Sequence, residues 1–287
     1  MRIVVTGAGG QLGRELVEVV RRAGHEPIAA DRALCDISRP GAAARLLSES
    51  GPAAVVNCAA WTNVDGAEGA PDEAYRANAL GARLLAAACA AAGVRLCHLS
   101  TDFVFDGETE ATLDEWAPVR PLSVYGASKL AGELEVRAIC PDHQIVRTAW
   151  VFGQDGPNFV LTVLRLAARR TELRVVADQH GSPTWTGHLA PALLRLVEMG
   201  VPGTFHLTGG GGTSRHRLAE AVVEEAGLTV PVIPVGTGEF PLPARRPRHA
   251  VLDNRAWRLL GEPALPGWRE GVRGYLASRR ASTPAAR

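Results

Sequence analysis

The sequence predicts an α/β protein, and three observations support this prediction. Short β-branched runs alternate with amphipathic helical segments through residues 1–154. A glycine-rich turn joins the first run to the first helix, as in a dinucleotide-binding βα unit. After about residue 155 the regular alternation weakens. We therefore expect a Rossmann-type doubly wound parallel sheet with a smaller C-terminal lobe.

The composition limits the classes of function. The chain has 287 residues, of which 46% are hydrophobic, and a formal net charge of +1. A near-neutral charge without a basic block argues against nucleic acid or a membrane surface as a partner. Five cysteines lack C-x-x-C spacing, and Met1 leads straight into a strand without a signal pattern. We therefore expect a cytoplasmic protein with small, reduced thiols.

The first strand, residues 3–5, runs directly into a turn that contains Gly7, Gly10 and Gly13. Glycine at these positions lets the backbone turn tightly and approach a pyrophosphate closely. The helix that follows offers its unpaired N–H groups to the phosphates. We interpret this turn as the binding site for the pyrophosphate of a dinucleotide.

The second strand, residues 27–30, ends at Asp31 and Arg32. An aspartate at this point can accept a hydrogen bond from an adenosine ribose 2′-OH, whereas an arginine tolerates a 2′-phosphate. The choice between NADH and NADPH is therefore open. Asp36 and Ile37 could border the adenine ring, although a helix N-cap explains Asp36 equally well.

Two later strands end in groups suited to a binding site. Small residues close the strand 53–60 and leave room for a flat ligand at the sheet edge. The strand 95–99 ends in Ser100 and Thr101, whose hydroxyls could bind a carbonyl oxygen or simply cap a turn. We predict one continuous helix over residues 75–92 and a sixth strand with its turn over residues 145–153.

Tyr125 and Lys129 are four residues apart at the start of a predicted helix. Residues at this spacing lie on the same helix face, so the phenol and the ammonium group point in the same direction. A positive charge near a phenol stabilises phenolate and lowers its pKa towards the neutral range. The pair therefore predicts a proton donor, although Tyr-x-x-x-Lys by itself also occurs on ordinary amphipathic helices.

The chain divides into three parts in this interpretation. Residues 1–154 form the NAD(P)-binding domain, and residues 155–280 form most of a substrate-binding lobe, with some elements returning to the sheet. Residues 281–287 form a frayed tail. The lobe contains helices near residues 159–170, 189–199 and 214–226, strands at 173–176 and 204–207, and an irregular Pro-rich segment over residues 230–248.

Several motifs occur in an order that resembles the extended short-chain dehydrogenase/reductase superfamily. The finer resemblance is to the dTDP-4-dehydrorhamnose reductase family, and it extends over residues 6–253. The segments that carry it are the glycine turn, NCAAWTNVD (57–65), STDFVFDG (100–107), YGASKLAGE (125–133), RTAWVFG (147–153), DQHGSPT (178–184) and RRP (245–247).

This resemblance implies that NADPH or NADH reduces the 4-keto group of a dTDP-4-keto-6-deoxyhexose. Tyr125 would donate a proton to the C4 oxygen while hydride arrives at the carbon. Lys129 would lower the pKa of the phenol and bind the nicotinamide ribose. Thr101 would hydrogen-bond the substrate carbonyl.

The resemblance also implies two sets of binding residues. The cofactor set is Gly7, Gly10, Gln11, Leu12, Gly13, Asp31, Asp36, Ile37, Ala59, Ala60, Trp61, Leu99, Tyr125 and Lys129. The substrate set is Thr62, Val64, Thr101, Asp102, Tyr125, Trp150 and Arg246. Trp150 could instead be a core aromatic residue, and Arg245 and Arg246 could contact the diphosphate or lie in solvent.

The chain departs from the family pattern at a few positions, and other functions stay open. Phe103 stands where the family usually has tyrosine, and Ala250 replaces a common serine. Glu15 matches a glutamate that binds a dimer-bridging metal in some members, but Gly187 and His188 stand where another ligand is expected. We therefore predict no metal, and a monomer or a homodimer. Alternatives are an epimerase, a reductase of another keto sugar in antibiotic biosynthesis, and a non-catalytic NADP-binding regulatory subunit.

Overall fold

A computed structural model describes residues 1–282 of the chain. The first part contains β1 (Arg2–Thr6), α1 (Gln11–Arg22), β2 (Glu26–Ala30), α2 (Ala42–Ser50), β3 (Ala54–Asn57), α3 (Val64–Gly69), α4 (Pro71–Tyr75), α5 (Gly81–Ala92), β4 (Arg95–Thr101), α6 (Val124–Ile139) and β5 (His143–Thr148).

The second part contains β6 (Val151–Phe152), α7 (Phe159–Ala167), β7 (Leu173–Val176), β8 (His180–Gly181), β9 (Thr184–Trp185), α8 (Thr186–Met199), β10 (Gly203–His206), β11 (Thr213–Ser214), α9 (Arg215–Glu225), β12 (Val232–Val235), β13 (His249–Ala250), α10 (Arg255–Leu259) and α11 (Trp268–Ser282). The predicted frayed tail begins inside α11, and residues 283–287 lie outside the described residues.

Six strands form one parallel sheet in the order β10-β5-β4-β3-β1-β2. Residues of α1 and α8 pack on one face, and residues of α2, α5 and α6 pack on the other. The predicted doubly wound α/β fold is therefore confirmed. The strand order reverses at β1, which lies between β2 and β3, and open α/β sheets bind ligands at such a switch point.

The core explains the strand pattern. Ile3, Val4 and Val5 have no exposed surface, because β1 lies inside the sheet and is covered on both faces. The C-terminal elements α7, α9 and α11 share a separate apolar cluster with β7. Among residues 1–282, no helix is both long enough and apolar enough to cross a membrane.

Three elements differ from their sequence predictions. The helix expected at 75–92 contains a π-helical turn at Arg76–Leu80, between α4 and α5. The strand expected at 145–153 is divided, because Trp150 has a φ of 46° and turns the chain between β5 and β6. The segment 230–248, expected to be irregular, contains β12, which pairs in parallel with β7.

Helix α6 approaches its neighbours very closely at two glycines. A Cβ atom on Gly126 would lie 2.2 Å from the carbonyl oxygen of Phe103, and one on Gly132 would lie 2.2 Å from that of Asn78. No real Cβ atom tolerates such a distance, so α6 can adopt this position only with glycine at both sites. These glycines therefore allow the close packing that positions the helix of Tyr125 and Lys129.

A buried ion pair ties α6 to the sheet. Arg147 in β5 donates from Nε to Glu133 Oε1 at 2.9 Å and from Nη2 to Glu133 Oε2 at 2.8 Å. Ser100 in β4 donates to the same Oε1 at 2.5 Å. The two charged side chains are 4% and 0% exposed, so this bidentate contact lies in the interior. Helix α6 and strands β4 and β5 are therefore held in one arrangement.

We expect Arg147→Met to lower the free energy of unfolding by about 3–5 kcal/mol, because it leaves the Glu133 carboxylate buried without its partner. The double variant Glu133→Gln/Arg147→Met, which has no unpaired charge, should recover part of that loss. Denaturant unfolding measures both values.

The matched control for this experiment is Arg83→Met. Arg83 lies on α5 and pairs with Glu135, which is on α6 like Glu133. Because the Arg83 side chain is 58% exposed, its loss should lower the free energy of unfolding by less than about 1 kcal/mol. If Arg147→Met unfolds at the same denaturant concentration as the control, the buried pair does not hold α6 to the sheet.

Candidate active site

A cleft of about 810 Å³ opens at the carboxyl ends of β1, β3 and β4. With the exception of Asp31, every residue of the two predicted binding sets lines it. These residues are Gly7, Gly10, Gln11, Leu12, Gly13, Asp36, Ile37, Ala59, Ala60, Trp61, Thr62, Val64, Leu99, Thr101, Asp102, Tyr125, Lys129, Trp150 and Arg246. The structure thus brings together groups that are up to 239 positions apart in the chain.

The glycine turn is tightly packed against the end of β3. Gly7 has a φ of 67°, and a Cβ atom there would lie 2.6 Å from the backbone nitrogen of Ala59. A Cβ atom on Gly13 would lie 2.3 Å from the Gly7 carbonyl oxygen. Gly10 is the N-cap of α1 and supplies no side-chain cap. The first N–H groups of α1 are therefore available to an anion.

Gln11 connects this turn to the C-terminal part of the cleft. Its Nε2 donates to the Pro157 carbonyl oxygen at 3.1 Å, and its Oε1 accepts from Asn158 Nδ2 at 3.3 Å. Asn158 in turn caps α7 through the backbone nitrogen of Leu161. The glycine turn and the segment that leads into α7 are thus in direct contact.

Asp31 is the one residue of the predicted cofactor set that does not line the cleft. Its carboxylate accepts hydrogen bonds from the backbone nitrogens of Ala33 and Leu34, both at 3.0 Å, and it does not line the cleft. The short side chain of aspartate favours such local bonds at the end of a strand. Asp36 does line the cleft, but it also accepts from the backbone nitrogen and the hydroxyl of Ser38 at 3.1 and 2.7 Å.

Arginines surround the end of the cleft where the sequence analysis predicts the adenosine. Arg32 lines the main cleft, and an adjoining cavity of about 270 Å³ is lined by Arg32, Arg39 and Arg45. Arg32 Nε and Arg39 Nε lie 3.5 and 3.6 Å from Asp36 Oδ2. The guanidinium groups outnumber the carboxylates that face them, so the local charge favours an anion.

Asn78 holds the middle of the cleft together. It accepts from the Trp61 backbone nitrogen at 2.8 Å and donates from Nδ2 to the Trp61 carbonyl oxygen at 3.1 Å. Nδ2 also donates to Ser128 Oγ on α6 at 2.9 Å. Asn78 lies in the π-helical turn, a feature frequently found at functional sites. The turn therefore joins the loop after β3 to the helix of Tyr125 and Lys129.

Tyr125 and Lys129 point into the cleft from the first turns of α6. Ser123 caps this helix by accepting from the Gly126 backbone nitrogen at 3.2 Å. Lys129 Nζ donates to the Leu99 carbonyl oxygen at 2.6 Å. The Tyr125 ring meets Phe103 edge to face, with 5.4 Å between ring centroids. The hydroxyl of Thr101, at the end of β4, donates to Asp102 Oδ1 at 3.0 Å.

Burial dominates the electrostatics of these groups. It raises the pKa of Tyr125 to about 12, an effect that the charge of Asp102 increases and the hydrogen bond with Thr101 opposes. Burial lowers the pKa of Lys129 to about 8, against the opposing charge of Glu133. The pKa of Tyr125 thus shifts in the direction opposite to the sequence prediction, because desolvation of the phenolate outweighs the hydrogen bond with Thr101.

The far end of the cleft carries Arg246 and the indole of Trp150. Arg246 donates from Nη2 and Nη1 to the two carboxylate oxygens of Asp65, at 2.7 and 3.0 Å. Arg245 is exposed and does not line the cleft. Trp150 lines the cleft. It also packs beside the apolar cluster of α7, α9 and α11 and beside a smaller cluster that contains Phe105. Both of its sequence interpretations, a cleft residue and a core aromatic residue, therefore describe part of its position.

The sequence analysis missed several residues of this lining. They include Cys35, Ser38, Glu73, Arg76, Thr148, Val151, Pro157 and Arg215. Arg215 stands at the start of α9, and no motif in the sequence signals its position. Among the described residues, no group of three or more His, Cys, Asp or Glu side chains is arranged to hold a metal ion.

The reversing parallel sheet and the glycine turn at its switch point define a protein of the Rossmann type. The chain belongs to the family described as "RmlD substrate binding domain", whose model matches residues 1–281. The resemblance stated from the motifs is therefore confirmed.

Relatives of known structure or curated name agree with this assignment. A dTDP-4-dehydrorhamnose reductase of Mycobacterium tuberculosis is 44% identical over 98% of this chain and 94% of its own length. A dTDP-4-keto-6-deoxy-D-glucose reductase of Streptomyces niveus is 39% identical over 93% of both chains. The crystal structure of a dTDP-4-dehydrorhamnose reductase from Bacillus anthracis, in complex with NADP, superimposes with a TM-score of 0.94 at 38% identity, over 96% of this chain and 99% of that one.

Proposed function

We propose that the protein reduces the 4-keto group of a dTDP-4-keto-6-deoxyhexose with NADPH or NADH, converting dTDP-4-dehydrorhamnose to dTDP-L-rhamnose or forming a closely related deoxysugar. The observation that carries the proposal is the convergence of Tyr125, Lys129 and Thr101 in the cleft that contains the glycine turn. The names of the relatives at 39–44% identity support the same reaction.

The residues present fit a dinucleotide. Gly7, Gly10 and Gly13 keep the turn free of side chains, and the uncapped start of α1 offers N–H groups to the pyrophosphate. Lys129 uses one N–H to reach Leu99, which leaves two donors for the hydroxyls of the nicotinamide ribose. When bound, the nicotinamide supplies the hydride that the C4 carbon accepts.

Tyr125 supplies the proton in this mechanism. Because its pKa is about 12, the phenol stays protonated at neutral pH and holds the proton until the C4 oxygen becomes basic. The charge of Lys129 then stabilises the phenolate that remains. The Thr101 hydroxyl binds the C4 oxygen and keeps it beside the phenol. The buried surroundings strengthen the hydrogen bonds that Thr101 and Tyr125 make with this oxygen.

A reductase of another keto sugar is the second candidate. The relative from Streptomyces niveus carries the name of a different dTDP-4-keto sugar reductase at 39% identity, so the natural hexose stays a prediction. The regulatory-subunit alternative has no support, since the glycine turn and the Tyr125–Lys129 pair are both intact. A cytoplasmic location is supported by five cysteines that form no disulfide. Monomer or homodimer stays a prediction.

We expect Tyr125→Phe to lower kcat for dTDP-4-dehydrorhamnose by about 10²- to 10⁴-fold, because it removes the proton donor and keeps the ring. The dissociation constant of NADPH should stay unchanged. Loss of nicotinamide absorbance measures turnover, and fluorescence titration measures cofactor binding. Turnover in Tyr125→Phe at the wild-type rate would contradict the mechanism, and a wild type that binds NADPH but reduces none of the dTDP-4-keto sugars would contradict the function.

We also propose that the protein prefers NADPH. Arg32 faces the adenosine end of the cleft together with Arg39 and Arg45, whereas the Asp31 carboxylate is engaged by backbone N–H groups. Arginine at this position favours a 2′-phosphate over a free 2′-hydroxyl.

The test of this preference is Arg32→Gln. We expect the KM for NADPH to rise by about 10- to 100-fold, because the variant loses one or two charge-assisted hydrogen bonds to the 2′-phosphate. The KM for NADH, measured on the same variant, serves as the internal control and should change by less than about threefold. An equal rise for both cofactors would show that Arg32 does not select the phosphate.

A further inference from the structure

Arg215 lines the cleft but has no role in the proposed mechanism. It opens α9 directly after Ser214, whose hydroxyl accepts from the Arg217 backbone nitrogen at 3.1 Å. Its guanidinium carbon lies 3.6 Å from the centroid of the Trp150 ring and 5.1 Å from that of Phe159. The guanidinium group therefore lies over the indole of Trp150, within cation–π distance, in the lining of the cleft.

The backbone around Trp150 restrains the indole ring beneath this guanidinium. Trp150 has a φ of 46°, which few non-glycine residues adopt. A Cβ atom on Gly181 would lie 2.5 Å from the Trp150 ring, so the indole lies directly against the backbone of β8. Contact with this ring restrains the guanidinium without using its N–H donors, which stay free to face a ligand.

The Arg215 guanidinium has no hydrogen-bond or ion-pair partner among the residues that the structure describes. Arg246, which lines the same end of the cleft, is different. Asp65 binds it through both carboxylate oxygens, and the Ala244 carbonyl oxygen accepts from it at 2.9 Å. The charge of Arg246 is therefore compensated by protein, whereas that of Arg215 is not.

The charges around Arg215 leave a positive surplus. Burial lowers its pKa to about 10, so it remains charged at neutral pH. The two charges that influence it are those of Asp102 and Arg246. Asp102 forms no ion pair with it, and burial raises the pKa of that carboxyl to about 6. Arg215 is half-buried, keeps free N–H donors, and is not neutralised by a paired carboxylate. Such a cation is suited to bind an anionic group of the substrate.

We propose that Arg215 is a substrate-binding residue whose guanidinium, held over the Trp150 ring, binds the diphosphate of the nucleotide sugar beside Arg246. This inference rests on the proposed function, because that function supplies a substrate with a diphosphate. A planar fork of N–H groups matches phosphate oxygens in pairs. Asp65 then acts as a positioning residue, since it orients Arg246 towards the same anion.

The test compares Arg215→Met with Arg217→Met. Arg217 is two residues further along α9, 72% exposed and paired with Glu220 at 3.0 Å, so it is a matched surface control. Calorimetry with dTDP as the probe measures the diphosphate subsite without turnover, and thymidine tests the nucleoside alone. For Arg215→Met we expect the Kd of dTDP and the KM of the sugar nucleotide to rise by about 10- to 100-fold. The Kd values of thymidine and NADPH should stay within about twofold of those of the wild type. The Kd of dTDP for Arg215→Lys should lie between the values for the wild type and Arg215→Met.

The outcomes separate this inference from the proposed function. If the wild type reduces the sugar and binds dTDP but Arg215→Met binds dTDP equally well, the inference is wrong and the function stands. If kcat falls while the Kd of dTDP is unchanged, Arg215 acts at the sugar or through Asp102, which also overturns the inference. If the wild type binds no dTDP, both the function and the inference fail. Thermal unfolding of Arg215→Met at the temperature of the control excludes a merely structural loss.

Discussion

The contact between Glu133 and Arg147 is the interaction on which the site depends. It joins α6 to β5, and the hydroxyl of Ser100 adds β4 to the same carboxylate. Lys129 lies one helical turn before Glu133, so the ion pair and the Lys129 contact with Leu99 fix the same face of α6. A buried pair is costly to desolvate, but once formed it allows few other arrangements. It therefore holds the phenol and the ammonium group at the carboxyl ends of the strands.

The electrostatics of the cleft follow from its depth. Desolvation disfavours the charged form of each buried group, which raises the pKa of Tyr125 and Asp102 and lowers that of Lys129. A phenol that holds its proton firmly is suited to act as an acid only when strong negative charge develops beside it. Hydride arrival at a carbonyl carbon produces that charge on the oxygen, so proton transfer is coupled to reduction.

Much of the fold was accessible from the sequence because its strands are buried on both faces and read as β-branched runs. β12 was missed because Pro234 interrupts an edge strand of a two-stranded sheet. The division of the strand at Trp150 depends on one unusual φ value that no pattern encodes. Motif order predicted most of the cleft, since its residues end strands or open α6. The hydrogen bonds of Asp31 to the next backbone N–H groups and the place of Arg215 in the cleft could not be predicted from motifs, because the orientation of a lone side chain depends on its tertiary neighbours.

The most direct test of the account follows the transferred hydrogen in a reaction with NADPH that carries deuterium at both hydrogen positions of nicotinamide C4. Incubation with dTDP-4-dehydrorhamnose and NMR analysis of the product locate the label. The account predicts a dTDP-6-deoxyhexose with one deuterium at C4 and an equal amount of oxidised cofactor. A product with unlabelled C4, or an epimerised sugar formed without net oxidation of cofactor, would contradict the assignment of a 4-keto reductase.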